Sequence, residues 1–126
     1  MQLATFLHRQ VHPKFRMDDG HIMSVAFRPS QKDQGLLSVY DGSQISAEAA
    51  YFHYTASLGF ASEGTWSVSA GECAELKLPT RPDPKKDSPA HTVIDFNGLE
   101  KKLIETKSKL LAMRAEARGC QYRKAN

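Results

Sequence analysis

The sequence predicts a single α+β domain, in which a mainly antiparallel β-sheet of four to six strands is covered by two helices. Three observations lead to this prediction. Short apolar runs separated by turn residues occupy the first half of the chain, and such neighbouring strands favour antiparallel pairing. The apolar spacing changes to a helical period at about 46–58, and it does so again at about 98–118.

The composition is that of an ordinary globular protein, with 40% hydrophobic and 25% charged residues among 126. This length suits one core, so we expect one domain over 1–118 and a basic tail over 119–126. No run approaches the roughly 18 apolar residues of a membrane helix, and the first ten residues do not resemble a signal peptide. Cys73 and Cys120 form no CxxC pair. We therefore expect a cytoplasmic protein with reduced thiols.

Two strands are predicted near the start of the chain. Over 3–12, Leu7, Arg9 and Val11 share one face, although neither face of this strand is purely apolar. Over 21–29, small and large apolar residues alternate until a proline ends the run. Because turn residues separate these two segments, we expect them to be distinct strands.

The middle of the chain predicts a strand, a helix and a further strand. The apolar run 36–40 has the length of a buried strand. The helix at 46–58 has Ser46 as its N-cap and Gly59 as its stop signal. The residues that share its apolar face are Ala47, Ala50, Tyr51, Tyr54 and Leu58. After it, apolar and polar residues alternate from residue 65 to residue 70, as expected for a half-buried strand.

The last third of the chain ends in a strand and a long helix. The segment 71–79 suits neither period and its conformation stays open, whereas the proline-rich and charged segment 80–89 predicts an exposed loop. A strand is expected at 91–96. The helix at 98–118 is closed by Gly119.

Apolar residues recur at alternating spacings of three and four along the last helix, which defines a seam. Its members are Phe96, Leu99, Leu103, Thr106, Leu110, Met113 and Ala117. Ile104 and Leu111 widen the seam, which favours packing on the sheet of the same chain over pairing with a second chain. We therefore expect Leu103 and Leu110 in the core of a monomer, with a dimer as the alternative.

Positive charge is concentrated at the same end of the chain. Residues 99–126 hold eight Lys and Arg against three Glu, a local net charge of +5. An unknown protein or an anionic ligand is the partner that this charge favours. The residues predicted to bind it are Lys101, Lys102, Lys109, Arg114 and Arg118. Nucleic acid is a weaker expectation, because no nucleic-acid recognition motif accompanies the helix.

The sequence contains no motif that identifies a reaction, a metal site or a cofactor. His8 and His12 lie four residues apart in a predicted strand, where about 13 Å would separate them, too far to bind one ion. Of the two cysteines, Cys73 lies between two glutamates, which disfavour a reactive thiolate. We therefore expect no metal, no cofactor, and a small binding or interaction protein.

One arrangement suggests an enzyme as the alternative. An arginine in the strand LHRQV is followed by the strand LLSVY, which leads into the helix start SAEAA. This succession is similar in outline to the RES and ADP-ribosyltransferase-like folds. The resemblance implies an NAD-processing enzyme in which Arg9 or His8 holds the pyrophosphate or ribose, Tyr40 contacts the nicotinamide, and Glu48 is the catalytic acid.

Overall fold

The computed structural model describes residues 1–124 and contains one five-stranded sheet. The strands are β1 (Phe6–Val11), β2 (Leu36–Asp41), β3 (Gly64–Ser69), β4 (Thr80–Pro82) and β5 (His91–Asp95). Their order across the sheet is β3-β1-β2-β5-β4, and every neighbouring pair is antiparallel. The predicted α+β fold with a mainly antiparallel sheet is confirmed.

Among the described residues, three α-helices accompany the sheet, together with four short helical segments. The α-helices are α1 (Ala47–Phe52), α2 (Ala70–Glu75) and α3 (Lys101–Arg118). A π-helical segment, His53–Ser57, continues α1, and 3₁₀ turns lie at Pro13–Phe15, Ser24–Phe27 and Gln31–Asp33. Within residues 1–124, no helix has both the length and the apolar character needed to cross a bilayer.

The two faces of the sheet differ in chemistry. On one face the core residues of the central strands, such as Leu7, Val39 and Ile94, are at most 2% exposed and pack beneath α3 and the turn Ser24–Phe27. The other face carries buried polar residues and lies under α1, whose Ala47 carbonyl accepts a hydrogen bond from Thr65 Oγ1 at 3.1 Å. The mixed pattern seen in the sequence of β1 therefore reflects an apolar face interrupted by Arg9 and a polar face that begins with Phe6.

The middle helix begins as predicted but changes its pitch. Ser46 Oγ accepts a hydrogen bond from the Ala49 amide at 3.1 Å, and the positive φ of Gly59, 77°, marks the end. The turns from residue 53 to residue 57 are π-helical, and a π turn rotates the residues beyond it relative to the preceding face. Leu58, expected on the apolar face, is consequently 43% exposed.

The segment left open by the sequence begins with α2. Ser69 and Glu72 form a reciprocal capping box, which explains why a helix starts directly after β3. Burial raises the pKa of Glu72, but hydrogen bonds from Arg118 and from the Ser69 amide outweigh it, so the pKa lies below its ordinary 4.5. Glu72 thereby joins the start of α2 to the end of α3.

Two predictions about the strands are wrong. The segment 21–29 forms a 3₁₀ turn rather than a strand, because Ala26 and Phe27 are adjacent and both buried, whereas a strand would place them on opposite faces. In the predicted loop 80–89, residues 80–82 instead form β4. Pro82 is tolerated there because β4 lies at the edge of the sheet.

The prediction that Leu103 and Leu110 of the seam lie in the core is also wrong, although Phe96 of the same seam is buried. Leu103, Leu110 and Met113 are 41%, 39% and 56% exposed. The helix instead turns toward the core the side that contains Ile104 and Leu111, the two residues that widen the seam, together with Ser108, Ala112 and Ala115. Ser108, Ala112 and Ala115 are small enough to be buried against the core, where larger side chains would need more space.

The residues after α3 return to the sheet and cover the free edge of β3. The Thr65 amide donates to the Tyr122 carbonyl, and the Gln121 amide donates to the Thr65 carbonyl, each at 2.8 Å. The first part of the predicted basic tail is therefore held against the domain. Residues 125 and 126 of that tail lie outside the described residues.

Candidate functional site

The sheet is split between its two central strands. β1 and β2 pair only at Leu7 with Asp41 and at His8 with Tyr40, although each strand pairs along its length with its other neighbour. Continuing the same register would pair Arg9 with Val39, but the two strands are not paired there. A gap between neighbouring strands leaves backbone groups that need other partners.

The side chain of Arg9 occupies this split. Its Nε donates to the Ala26 carbonyl at 2.8 Å, and its Nη1 donates to the Ser38 carbonyl of β2 at 2.9 Å. Burial lowers the pKa of Arg9, while nearby Tyr54 and Asp33 oppose that effect. Because a guanidinium remains protonated in proteins, a fixed positive charge lies between the strands.

A cavity of about 360 Å³ opens at the split on the polar face of the sheet. This volume lies within the range typical of small-molecule sites. Its walls come from β1 and β2, from the π-helical segment and the turn after it, and from the loop before β5. The lining residues are His8, Arg9, Gln10, Ser38, Val39, Tyr40, Tyr54, Leu58, Phe60, Lys85, Lys86, Asp87, Ser88 and His91.

A chain of hydrogen bonds joins the cavity wall to the loop 83–90. The Tyr40 hydroxyl lies 2.8 Å from His53 Nδ1, and His53 Nε2 lies 2.8 Å from the Asp87 carbonyl. Because a carbonyl only accepts, Nε2 is the donor and Nδ1 accepts from Tyr40. Burial raises the pKa of Tyr40 to about 12, so the hydroxyl remains available as a donor.

Two further histidines form hydrogen bonds within the cavity wall. His91 Nδ1 donates to the Asp83 carbonyl at 2.8 Å, and its Nε2 lies 3.0 Å from Ser38 Oγ. His8 Nδ1 lies 2.7 Å from Ser67 Oγ, and burial lowers the pKa of His8. At neutral pH, the fixed charge of this wall therefore comes from Arg9 rather than from His8.

The rim of the cavity combines aromatic rings with lysines. The Tyr54 and Phe60 rings lie 5.1 Å apart between centroids, and Phe60 is 55% exposed. Across the opening, Lys85 forms an exposed ion pair with Asp83 at 3.1 Å, and Lys86 is exposed beside it. An exposed ring beside cationic side chains provides stacking and charge at the same opening.

The structure brings together only some of the residues that the sequence singled out as catalytic candidates. Arg9, its alternative His8, and Tyr40 all line the cavity. Glu48 does not, because it lies exposed in the first turn of α1. Of the described residues that line the cavity, Asp87 is the single acidic one.

Sequence reasoning missed the residues that shape the opening, above all Tyr54, Phe60, Lys85 and Lys86. Tyr54 was assigned to the apolar face of the helix, but the π-helical segment places it in the cavity wall. The sequence offered two signals for this opening. They were the aromatic residues Tyr54 and Phe60 on either side of Gly59, and the adjacent lysines Lys85 and Lys86 in the proline-rich segment 80–89. Neither signal gave the distance between those segments.

The predicted partner-binding residues of α3 divide into two groups. Lys101, Lys102 and Lys109 are exposed on the helix. Arg114 instead pairs with Glu72 and Glu75, and Arg118 pairs with Glu72 at 2.9 Å. Part of the positive charge predicted for a partner is thus balanced within the domain.

Comparisons of this chain with protein-family models, with curated proteins and with solved structures find no match. The similarity in outline to RES and ADP-ribosyltransferase-like folds therefore depends on the residues of this chain alone.

Proposed function

We propose that the protein binds a small anionic ligand with a planar ring, of the nucleotide class, at the split between β1 and β2. The observation that carries this proposal is the fixed guanidinium of Arg9 in a cavity whose rim contains the Tyr54 and Phe60 rings. Guanidinium groups match phosphate oxygens in geometry and charge. Aromatic rings stack on the planar base of such a ligand.

The proposal is tested by calorimetric titration with adenosine 5′-monophosphate, adenosine and ribose 5-phosphate. The monophosphate should bind more tightly than either fragment, because only it offers both a ring and a phosphate. The variant Lys85→Gln/Lys86→Gln should weaken its binding about three- to tenfold, the effect of removing two exposed charges. The matched control is Lys101→Gln/Lys102→Gln, which removes the same charge from α3 and should leave binding unchanged.

A second variant tests the ring. Phe60 is more than half exposed, so Phe60→Ala should leave the fold intact. It should weaken binding of the monophosphate more than binding of ribose 5-phosphate, which has no planar base to stack on an aromatic ring. The proposal would be refuted if none of the three compounds gave binding heat at millimolar concentration. It would also be refuted if the α3 control lost as much affinity for the monophosphate as Lys85→Gln/Lys86→Gln does.

NAD is a member of the same ligand class, and the NAD-processing alternative shares this cavity. Arg9 and Tyr40 line it as the resemblance implies, but the exposed position of Glu48 leaves that carboxylate outside. We therefore expect NAD to bind without being cleaved. Wild-type protein that releases nicotinamide and ADP-ribose from NAD and water faster than buffer does would assign an enzyme instead.

A different observation favours protein binding at α3 as a second function. Leu103, Thr106, Leu110, Met113 and Ala117 form an exposed row, the α3 stripe, with the spacing of two coiled-coil heptads. The α3 stripe extends for about 21 Å along the helix. Such an apolar row on an otherwise folded domain is typical of a surface that receives another helix.

The charges beside the α3 stripe indicate which helix it receives. Lys102 and Lys109 flank one side and are exposed, while on the other side Lys107 donates to the Leu76 carbonyl and Arg114 pairs with Glu72 and Glu75. Two antiparallel copies of α3 would bring the exposed Lys109 side chains together, and in two parallel copies Lys102 and Lys109 would face Lys107 and Arg114, which provide no acidic partner. Because like charges at these positions disfavour pairing, an acidic amphipathic helix of a different protein is the partner we propose.

A designed pair of peptides tests this partner. Both carry leucine at the seam positions of three heptads, with glutamate flanking the seam in one and lysine in the other. The glutamate peptide should bind and the lysine peptide should not, and Leu110→Ser/Met113→Ser should abolish the binding. Equal binding of both peptides, or a wild-type dimer that the same variant dissociates, would contradict the proposal.

A further inference from the structure

A second cleft, of about 530 Å³, adjoins the cavity and shares Arg9, Gln10 and Tyr54 with it. We call it the cationic cleft. Its remaining walls come from the turn Pro13–Phe15 and from the segment 25–33. The two spaces therefore meet at the side chain that occupies the split of the sheet.

Positive charge dominates the cationic cleft. Arg9, Lys14, Arg28 and Lys32 line it, and Asp33 is the single acidic residue among its described lining. Asp33 Oδ2 already accepts hydrogen bonds from the Ser30 amide at 2.9 Å and from the Ser30 hydroxyl at 2.6 Å. One carboxylate that already accepts two hydrogen bonds does not neutralise four cationic side chains. The cationic cleft therefore favours an anion with several negative charges.

Arg28 provides an independent observation at the same place. Its Nε is buried and has no hydrogen-bond partner among the described residues, and its Nη2 reaches Ser24 Oγ only at 3.4 Å. A buried N–H without an acceptor is costly, and native structures rarely contain one. Turning this side chain toward an anion in the cleft would give the N–H an acceptor.

We infer that the cavity and the cationic cleft hold one ligand, with its ring in the cavity and a chain of two or more phosphates running past Arg9 into the cleft. This inference depends on the proposed function and narrows its ligand class to nucleoside polyphosphates. Arg9 lines both spaces, and because carbonyls already accept from its Nε and Nη1, Nη2 is the nitrogen that we expect to donate to the ligand.

The length of the phosphate chain is the variable that tests the inference. Adenosine mono-, di- and triphosphate are titrated by calorimetry into wild-type protein without magnesium. Affinity should rise about three- to tenfold with each added phosphate. In Lys14→Gln/Lys32→Gln, which alters two exposed side chains, this rise should disappear while the affinity for the monophosphate stays unchanged.

Two controls separate the cleft from general charge attraction. Lys101→Gln/Lys102→Gln removes equal charge on α3 and should keep the rise, whereas Lys85→Gln/Lys86→Gln should weaken all three nucleotides by a similar factor. Inorganic tripolyphosphate should compete with the triphosphate more strongly than with the monophosphate. In NMR spectra, the Nε–H resonance of Arg28 should shift with the triphosphate and not with the monophosphate.

The experiment distinguishes failure of this inference from failure of the proposed function. If the monophosphate binds but added phosphates bring no gain, or if the α3 control removes the gain as well, the inference is overturned and the proposed function stands. An Arg28 resonance unaffected by the triphosphate would also overturn it. If no nucleotide binds, the proposed function and this inference fail together.

Discussion

The neighbouring leucines of α3 give the sharpest test of how the helix is oriented. Leu111 is fully buried in the core, whereas Leu110 is 39% exposed. Truncating each to alanine changes the same atoms in the same helix, so helix propensity affects both variants equally. Any difference between their unfolding free energies therefore reports the burial of the two side chains.

The expected magnitudes follow from that burial. Leu111→Ala removes hydrocarbon equivalent to three methylenes, about 2.5 kcal/mol of transfer free energy, and the cavity left behind adds to this. The total should be about 3–4 kcal/mol, as in other large-to-small core substitutions. Leu110→Ala should cost about 1 kcal/mol or less, since solvent already reaches much of the side chain.

Urea unfolding followed by circular dichroism and by the fluorescence of the buried Trp66 measures both variants. The two probes should give coincident transitions, which supports a two-state treatment. Equal costs, or a larger cost for Leu110→Ala, would show that the helix turns its other row toward the core. A wild-type stability that rises with protein concentration would instead indicate that the exposed Leu110 contacts a second copy, which is compatible with this orientation but contradicts the acidic partner proposed for the α3 stripe.

Three further predictions concern titratable groups. The pKa of Glu72 is lower in the folded protein than its ordinary 4.5, so ionised Glu72 stabilises the fold fully above pH 4.5, and this contribution is lost as the pH falls through the folded-state pKa. The difference in unfolding free energy between wild type and Glu72→Gln, measured by urea unfolding, should therefore shrink on acidification. The hydrogen bond to Glu116 raises the pKa of His21 above its ordinary 6.5. Protonated His21 therefore stabilises the fold below pH 6.5, and this contribution is lost as the pH rises through the folded-state pKa. An NMR titration should give a midpoint above 6.5 that Glu116→Gln lowers. Burial raises the pKa of Cys73 to about 12, so iodoacetamide at neutral pH should modify the exposed Cys120 first, and early labelling of Cys73 would contradict the packing of α2.

Local signals in the sequence predicted most of the elements. The Ser46 cap, the Gly59 stop and the short apolar run of β2 depend on residues that are near each other in the chain. The same kind of signal failed at 21–29, where alternation suggested a strand but two adjacent buried residues require a turn. Periodicity on α3 defined one wide seam and placed Leu103 and Leu110 in the core, because the pattern alone does not tell which edge of a wide seam faces the sheet.

The site was harder to predict than the fold because it depends on a strand pairing that stops. Arg9 falls in sequence on the same face as Leu7 and Val11, which gives no indication that its guanidinium lies between strands. That position follows from the end of the β1–β2 pairing after His8, a property of the whole sheet. The contribution of Tyr54 was hidden for a similar reason, since the π-helical turn changes which side it faces.

The return of the chain to β3 has a consequence for how the protein behaves in concentrated solution. An edge strand with free backbone groups offers a template on which other chains can add strands and aggregate. Here Gln121 and Tyr122 take up the Thr65 amide and carbonyl at that edge, while Pro82 removes a donor at the opposite edge. Gln121 and Tyr122 thus protect part of this edge from other chains, and a protein shortened after Arg118 should associate through β3 more readily than the longer chain.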